Sequence, residues 1–200
     1  MRGKLLTVIA VLWTVTAVAG EGDARTKAIF FRGITVERED VVHWLEGVPE
    51  KDVVRFDLET KGSNYRVRNQ MLLSAKPEGV PVESASVIVL GDYPMFEKTL
   101  PTVVQERILA AVRDGCRLVI QGGPFSLNKC GNPQANLLQA LPVELGGKWA
   151  VEFLPDGRQV SIVKAKAGAT VLEKSPQGNP MVVEGVYGKG KVVVICSSVR

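Results

Sequence analysis

Cysteine and histidine, whose side chains serve as nucleophiles, acid–base catalysts and metal ligands, are scarce in this 200-residue chain. The cysteines are Cys116, Cys130 and Cys196, and the single histidine is His43. Cys116 and Cys196 lie in or beside apolar runs, so we expect buried core residues there, whereas Cys130 lies in a loop sequence and should be exposed. No spacing in the sequence brings Cys130 and His43 together. One histidine and scattered acids form no metal-ligand pattern, and the sequence predicts no metal and no other cofactor.

A second group of candidates lies where predicted strands end. These residues are Arg32, Asp92, Gln121, Gly122, Gly123 and Ser126. In parallel α/β sheets, ligands collect at the carboxyl ends of the strands, because the loops there surround a crevice with free backbone N–H groups. The six residues could therefore bind a small polar ligand. They could equally fix the loops, with Asp92 accepting hydrogen bonds from nearby backbone N–H groups and Ser126 capping a turn, so both interpretations stay open.

Residues 84–127 are predicted to form one strand–helix–strand unit that positions these groups. The apolar runs at 86–90 and 118–120 are continuous, which is typical of strands buried on both faces of a parallel sheet. Two parallel strands joined by a helix imply a right-handed crossover.

The helix of this unit is predicted to begin near Thr99 and Pro101, where a capping hydroxyl precedes a proline of the first turn, and to end at Gly115. Apolar residues at helical spacing define its buried face: Val103, Val104, Ile108, Leu109, Ala111 and Val112. The opposite, polar face is assigned to Gln105, Glu106, Arg107 and Arg113.

The sequence before this unit predicts the same order of elements. Strands are expected at 27–34 and 53–58, with a helix from Thr35 to about residue 48 between them. The stretch at 65–73 could be a helical turn or an edge strand.

The sequence after the central unit changes in character. A short helix is predicted over 134–141, and from residue 148 onward alternating apolar residues and two turns predict antiparallel hairpins. The second turn, Gly188-Lys189-Gly190, lacks the spacing and the Ser/Thr of a phosphate-binding loop, so we interpret it as a hairpin turn. The expected fold is α/β, with a mostly parallel central sheet and a β-rich C-terminal flank.

Residues 1–20 have the pattern of a secretory signal peptide. Arg2 and Lys4 precede an apolar run, and Ala17 and Ala19 provide the small residues of a cleavage site after Ala19 or Gly20. We therefore expect an exported protein, periplasmic or extracellular, with residues 21–200 forming one domain and no membrane span after cleavage. The alternative is an uncleaved N-terminal membrane anchor, although the apolar run is shorter than the ~20 residues of a spanning helix.

Charge and cysteine number exclude some functions. Without Arg2 and Lys4 the mature chain has 23 basic and 21 acidic residues, and no cluster of lysine and arginine is interleaved with aromatic residues. The sequence therefore predicts no nucleic-acid partner. In an oxidising compartment, an odd number of cysteines leaves at least one unpaired within the chain.

Several short motifs together resemble the class I glutamine amidotransferase-like superfamily, in the branch found in bacterial exported and membrane proteins. They are Gly91-Asp92, Gly122-Gly123 with Ser126, Leu141-Pro142-Val143, and Tyr187-Gly188-Lys189-Gly190-Lys191-Val192. The resemblance runs from about residue 27 to the C-terminus. It implies a flavodoxin-like three-layer sandwich.

The resemblance also locates the catalytic position of working amidotransferases. Their cysteine stands on the sharp turn directly after the strand that corresponds to 117–120, and a later histidine, oriented by an acid, activates it. In this chain that position falls at about Gln121, which is no nucleophile, and no histidine follows it. The resemblance therefore implies an inactive domain that binds a small polar ligand or an envelope protein. The alternative is a hydrolase or amidotransferase with a non-standard site at the same crevice, with Asp92, Ser126 and Cys130 as candidates.

Overall fold

The structure is a computed structural model, and it describes residues 27–32, 44–45, 48–61, 64–67, 81–91, 100–121, 123, 127, 136–146 and 150–198. These residues include the α-helix α1 (Thr102–Arg113) and twelve strands. The strands are, in chain order, β1 (Lys27–Arg32), β2 (Val53–Lys61), β3 (Asn64–Val67), β4 (Ala85–Leu90), β5 (Arg117–Gln121), β6 (Val143–Glu144), β7 (Val151–Phe153), β8 (Gln159–Ser161), β9 (Lys164–Ala165), β10 (Thr170–Lys174), β11 (Pro180–Tyr187) and β12 (Gly190–Ile195).

Eight of these strands make one mixed sheet in the order β10-β11-β12-β5-β4-β1-β2-β3. The five central strands, β2, β1, β4, β5 and β12, are parallel to one another. The strands at both edges are antiparallel, with β3 against β2, and β11 and β10 following β12. The mostly parallel centre and the β-rich flank are thus confirmed. Residues 64–67 form an edge strand, which agrees with one of the two interpretations of 65–73, whereas residues 68–73 lie outside the described residues.

Two apolar clusters lie on the two faces of the central strands. Alternate residues supply the first cluster, among them Phe31, Leu90 and Ile120, which pack with α1. The intervening residues, among them Phe30 and Val119, make the second cluster together with Leu45. Because side chains of a strand alternate between faces, a strand buried on both sides must be apolar throughout, which explains the continuous apolar runs. The predicted helix at 35–48 lies mostly outside the described residues, but Trp44 and Val48 also pack against the second cluster.

The predicted strand–helix–strand unit is β4, α1 and β5, and its helix ends as expected. Gly115 has φ +115°. Its N–H donates to Val112 O at 3.0 Å, and Cys116 N donates to Ala111 O at 2.9 Å. This pair of bonds is the Schellman arrangement, in which a glycine takes the left-handed conformation and caps the last carbonyls of the helix. The helix begins after Pro101 without a side-chain cap, and Thr99 lies outside the described residues.

Two residues of α1 lie on the opposite face from the one we expected. Val103 is 41% exposed, whereas Gln105 is only 2% exposed. With about 100° of rotation per residue, position 105 falls on the same side as the buried Ile108 and Leu109, and position 103 falls opposite. Gln105 is tolerated there because its Nε2 donates to Leu100 O at 2.7 Å, which offsets part of the cost of burying an amide.

The C-terminal hairpins lie where the turns predicted them. The first hairpin, β7 and β8, and the second, β11 and β12, are both antiparallel. A shorter two-stranded sheet pairs β6 with β9. The predicted helix over 134–141 is a 3-10 helix at Asn136–Ala140. Within the described part of the chain, no helix combines the length and the apolar character that crossing a membrane requires.

The Gly188-Lys189-Gly190 turn is packed against the C-terminal end of α1. Lys189 N donates to Arg113 O at 2.8 Å. A Cβ at Gly188 would lie 2.5 Å from Arg113 Cα, and a Cβ at Gly190 would overlap the carbonyl oxygen of Val112. Glycine is needed at both positions because the two backbones touch. The motif therefore forms a hairpin turn, as predicted, and this turn packs against the end of α1.

Candidate functional site

The predicted crevice corresponds to one edge of the parallel strands. Because β1, β4, β5 and β12 run in the same direction, their carboxyl ends meet at this edge. They place Arg32, Gly91 and Gln121 side by side, and residues 196–198 follow β12. Strands are spaced by about 4.8 Å, so the backbones of Arg32 and Gln121, separated by β4, are roughly 10 Å apart.

Arg32 lies at the point where the chain changes direction across the sheet. From β1 the chain continues to β2 on one side, and then to β4 on the other side. Ligands of open α/β sheets bind at such a switch point. The ends of β1 and β4 are joined there by a bond of 2.7 Å from Gly91 N to Phe31 O. Asp92 follows Gly91 directly in the sequence, but it lies outside the described residues.

Gln121 is held by the neighbouring strand end. Its side chain is buried, and its Nε2 donates to Ser197 O at 3.0 Å. This bond follows from the register of the parallel pair, in which Ile195 lies opposite Gln121, so that residues 196–198 run past the end of β5. A buried amide that is bonded to the main chain fixes a loop, and this geometry supports the structural interpretation of Gln121.

Gly123 is packed against the same segment. It has φ +72°, and a Cβ placed on it would lie 3.1 Å from both Cα and N of Ser198. Any other residue would be strained by the positive φ and by the contact with the main chain. The sheet edge after β5 is therefore covered by residues 196–198, which we call the tail segment.

The tail segment is fixed from its other side by β8. Ser161 N donates to Cys196 O, and Ser198 N donates to Gln159 O, both at 2.8 Å. Gln159 N in turn donates to Ser198 Oγ at 3.0 Å. The β-rich flank thus supplies a short antiparallel partner for the tail segment, which is consistent with the isolated bridge between Val160 and Ser197.

Ser197 and Ser198 were absent from the residues that the sequence singled out. They follow the apolar run at 192–196 in the same way as Gln121 follows the run at 118–120. That parallel could have drawn attention to them, because strand ends of a parallel sheet lie together. The sequence did not predict that β12 is the immediate neighbour of β5 in the sheet.

Neither of the two described cysteines offers an exposed thiol at this edge. Cys116 lies at the opposite, amino end of β5, Cys196 lies in the tail segment, and both are buried, as expected. Burial raises the pKa of the Cys196 thiol to about 12, so the thiolate is absent at neutral pH. No cluster of three or more His, Cys, Asp or Glu residues that could hold a metal occurs in the described ranges. The remaining candidates, Gly122, Ser126, Cys130 and His43, lie outside them and stay predictions.

Comparison with known proteins supports the fold alone. No family model matches the chain, and no curated protein matches it. Among solved structures, the chain is similar to the cytoplasmic protein STM3548 from Salmonella typhimurium, with a TM-score of 0.51 and 17% identity over 86% of this chain and 87% of that chain. It is also similar to the exo-beta-1,4-mannosidase Op5Man5 from Opitutaceae bacterium strain TAV5, with a TM-score of 0.50 and 14% identity. A third similar structure is the beta-galactosidase from Bacillus circulans sp. alkalophilus, also with a TM-score of 0.50 and 14% identity.

The extent of these matches differs. The chain aligns with most of STM3548, but 88% of this chain covers only 31% of the mannosidase and 29% of the galactosidase. The same α/β arrangement therefore makes up most of one protein and a minor part of two larger enzymes. At 14 to 17% identity these similarities say nothing about activity.

Proposed function

We propose that residues 21–200 form one exported domain of the glutamine amidotransferase-like type, with a flavodoxin-like three-layer architecture, which binds a ligand or a protein and does not hydrolyse glutamine. The order of the parallel strands supports the architecture. Numbered along the chain, the five strands β2, β1, β4, β5 and β12 follow the order 2-1-3-4-5, which is that of flavodoxin-like folds. The apolar clusters on both faces of the sheet agree with helices on both sides.

The hydrogen bond between Gln121 and Ser197 carries the proposal. The resemblance implies a cysteine after β5 and a histidine further along the chain, and the neighbouring ends of β5 and β12 are suitable places for two groups that must touch. In this protein those two ends carry Gln121 and Ser197, and their contact joins an amide to a carbonyl oxygen at 3.0 Å. An amide can neither attack a carbonyl carbon nor accept a proton at neutral pH. The end of β5 is thus built as a fixed junction.

The proposed binding site is the switch point beside this junction. Arg32 provides a positive charge at the end of β1, and Asp92, Gly122 and Ser126 are the further candidates from the sequence. In this proposal Gln121 and Gly123 shape the edge by holding the tail segment, and a small polar ligand or an envelope protein contacts the loops around Arg32.

Activity assays test the proposal directly. The purified protein should release no ammonia from glutamine, and hydrolyse no p-nitrophenyl ester, above the rate of a buffer blank. The variants Gln121→Ala and Ser126→Ala should give the same result. Hydrolysis by the wild type that either substitution abolishes would contradict the proposal and support the non-standard enzyme.

Export forms a separate part of the proposal, and it rests on residues 1–20. Expression of the full chain followed by fractionation and mass spectrometry of the intact protein should find a mature N-terminus at Gly20 or Glu21 outside the cytoplasm. A protein that keeps Met1 and sediments with membranes would support the uncleaved anchor instead. A soluble cytoplasmic protein with an intact N-terminus would contradict export.

A further inference from the structure

Two turns of the β-rich flank border a cleft of about 290 Å³. Its apolar lining includes the buried side chains of Leu154 and Met181, with Pro155 on one turn and Pro176 on the other. The cleft is open to solvent, and its volume limits a ligand to about the size of a dipeptide.

The turn that carries Pro176 is held by a buried carboxylate. Glu152 is 4% exposed, and its Oε2 accepts hydrogen bonds from Ser175 Oγ at 2.5 Å and Asn179 Nδ2 at 2.9 Å. Burial alone would raise the pKa of Glu152, but the hydrogen bonds from Ser175, from Asn179 and from the backbone of Gln177 outweigh it, so the pKa is lowered. The carboxylate is therefore ionised at neutral pH and fixes this wall of the cleft.

The opposite wall is also fixed without a ligand. Asp156 accepts hydrogen bonds from Arg158 N at 3.1 Å and from Arg158 Nε at 2.8 Å. Leu154 N donates to Arg158 O at 2.8 Å and closes the turn. Both walls are thus preformed, and a ligand would bind without the entropic cost of ordering them.

Two charges at the cleft remain without an ion-pair partner among the described residues. Asp156 and Arg158 neutralise each other, whereas Glu173 and Lys174 have no partner within 4.0 Å in the part of the chain that the structure describes. Successive residues of a regular strand point to opposite faces, but the pairing of β10 with β11 shifts register between Glu173 and Lys174. Because of this irregularity, the consecutive residues Glu173 and Lys174 both line the cleft.

We propose that the cleft binds a small zwitterion with an apolar body, of the size of a hydrophobic dipeptide. Glu173 would receive the ligand's ammonium group, Lys174 would receive its carboxylate, and Leu154 and Met181 would contact its side chains. The charges of the cleft and of the ligand are complementary in both positions. The site uses none of the strand-end residues, so it goes beyond the proposed function and does not depend on it.

An NMR titration of the ¹⁵N-labelled protein with leucyl-leucine tests this proposal. We expect shifts of the amide signals of Leu154, Lys174 and Met181, with a Kd on the order of 0.1–1 mM for a ligand of this size. Lys174→Met keeps most of the side chain and should weaken binding roughly five- to tenfold, because it removes one charged contact. Lys189→Met makes the same charge change on the β11–β12 turn and should leave the Kd unchanged.

Blocked ligands assign each charge to its partner. N-acetyl-leucyl-leucine lacks the ammonium group, so it should bind more weakly than the free dipeptide and be insensitive to Glu173→Gln. Leucyl-leucine amide lacks the carboxylate and should be insensitive to Lys174→Met. The proposal is overturned if the cleft signals do not shift at tens of millimolar dipeptide, or if Lys174→Met, folded by circular dichroism, binds like the wild type.

Discussion

The two ends of β5 are closed by the same means, although only one of them lies where α/β folds bind ligands. At the amino end, a Cβ on Gly190 would overlap the oxygens of Val112 and Cys116. At the carboxyl end, Gly123 meets the main chain of Ser198, and Gln121 bonds to Ser197. In both places a glycine permits backbone contact, and a hydrogen bond to the main chain of a distant segment fixes it. The carboxyl end of β5 therefore has the same features of a structural junction as the amino end.

The largest effect is expected from Gly190→Ala, at the amino end. The added methyl group would overlap two carbonyl oxygens that belong to the helix end and to the start of β5, so one of these elements must move. We expect a loss of about 2–4 kcal/mol in the free energy of unfolding, measured by urea denaturation. Gly178→Ala is the control, because nothing lies within 4 Å of a Cβ there and its positive φ costs only about 1 kcal/mol. Equal losses for the two variants would contradict the tight contact at Gly190.

The corresponding change at the carboxyl end, Gly123→Ala, should have a smaller effect. Its Cβ would be tight at 3.1 Å without overlapping, and the positive φ adds strain. We expect a loss of about 1–2 kcal/mol in the same urea experiment. A Gly123→Ala variant as stable as the wild type would show that the tail segment does not pack tightly against Gly123. The two ends of β5 would then not be closed by the same means.

Acid should weaken the flank that holds the tail segment. The pKa of Glu152 is lowered in the folded protein, so its stabilising contribution is fully present above the pKa of the unfolded chain, about 4.3, and is lost as the pH falls through the lower folded value. The Tm of the wild type should therefore fall more steeply below pH 5 than the Tm of Glu152→Gln, which cannot ionise. Above pH 5 the wild type should have the higher Tm. Parallel Tm profiles for both proteins would show that Glu152 does not hold its turn as an anion.

The smallest perturbation is the chemical modification of the thiols. Cys116 lies at the amino end of β5, and Cys196 lies beside its carboxyl end. Cys116 and Cys196 are separated along the paired strands by roughly 16–20 Å, too far for a disulfide, and both are buried. In a Cys130→Ala variant, Ellman's reagent should detect no thiol in the native protein and two thiols in urea. One reactive thiol in the native state would mean that one end of β5 opens, and peptide mapping after alkylation would identify which end.

The central unit could be predicted from the sequence because its signals are local. The two strands of this unit, β4 and β5, contain continuous apolar runs, and Gly115 marks the end of the helix by its own conformational preference. The face of α1 was less predictable at single positions. Val103 was assigned by residue type to the apolar side, and Gln105 to the polar side, but rotation along the helix and the bond from Gln105 to Leu100 O decide otherwise.

The junction at Gln121 could not be predicted, for a different reason. Gln121 and Ser197 are 76 residues apart, and their contact exists only because β12 returns to lie beside β5 with Ile195 opposite Gln121. No periodicity in the sequence gives that neighbour relation or its register. The hydrogen bonds from β8 to the tail segment are equally non-local, since they require the antiparallel flank to fold back over the strand ends.

The side-chain amide of Gln121 gives the most direct test that the end of β5 is a fixed junction. In an NMR hydrogen-exchange experiment, the Nε2 protons of Gln121 should exchange far more slowly than those of Gln139, an exposed glutamine of the same chain. Millimolar free glutamine should change neither rate. Exchange of Gln121 as fast as that of Gln139, or a shift of its amide signals on addition of glutamine, would show an open site at this edge and contradict the account.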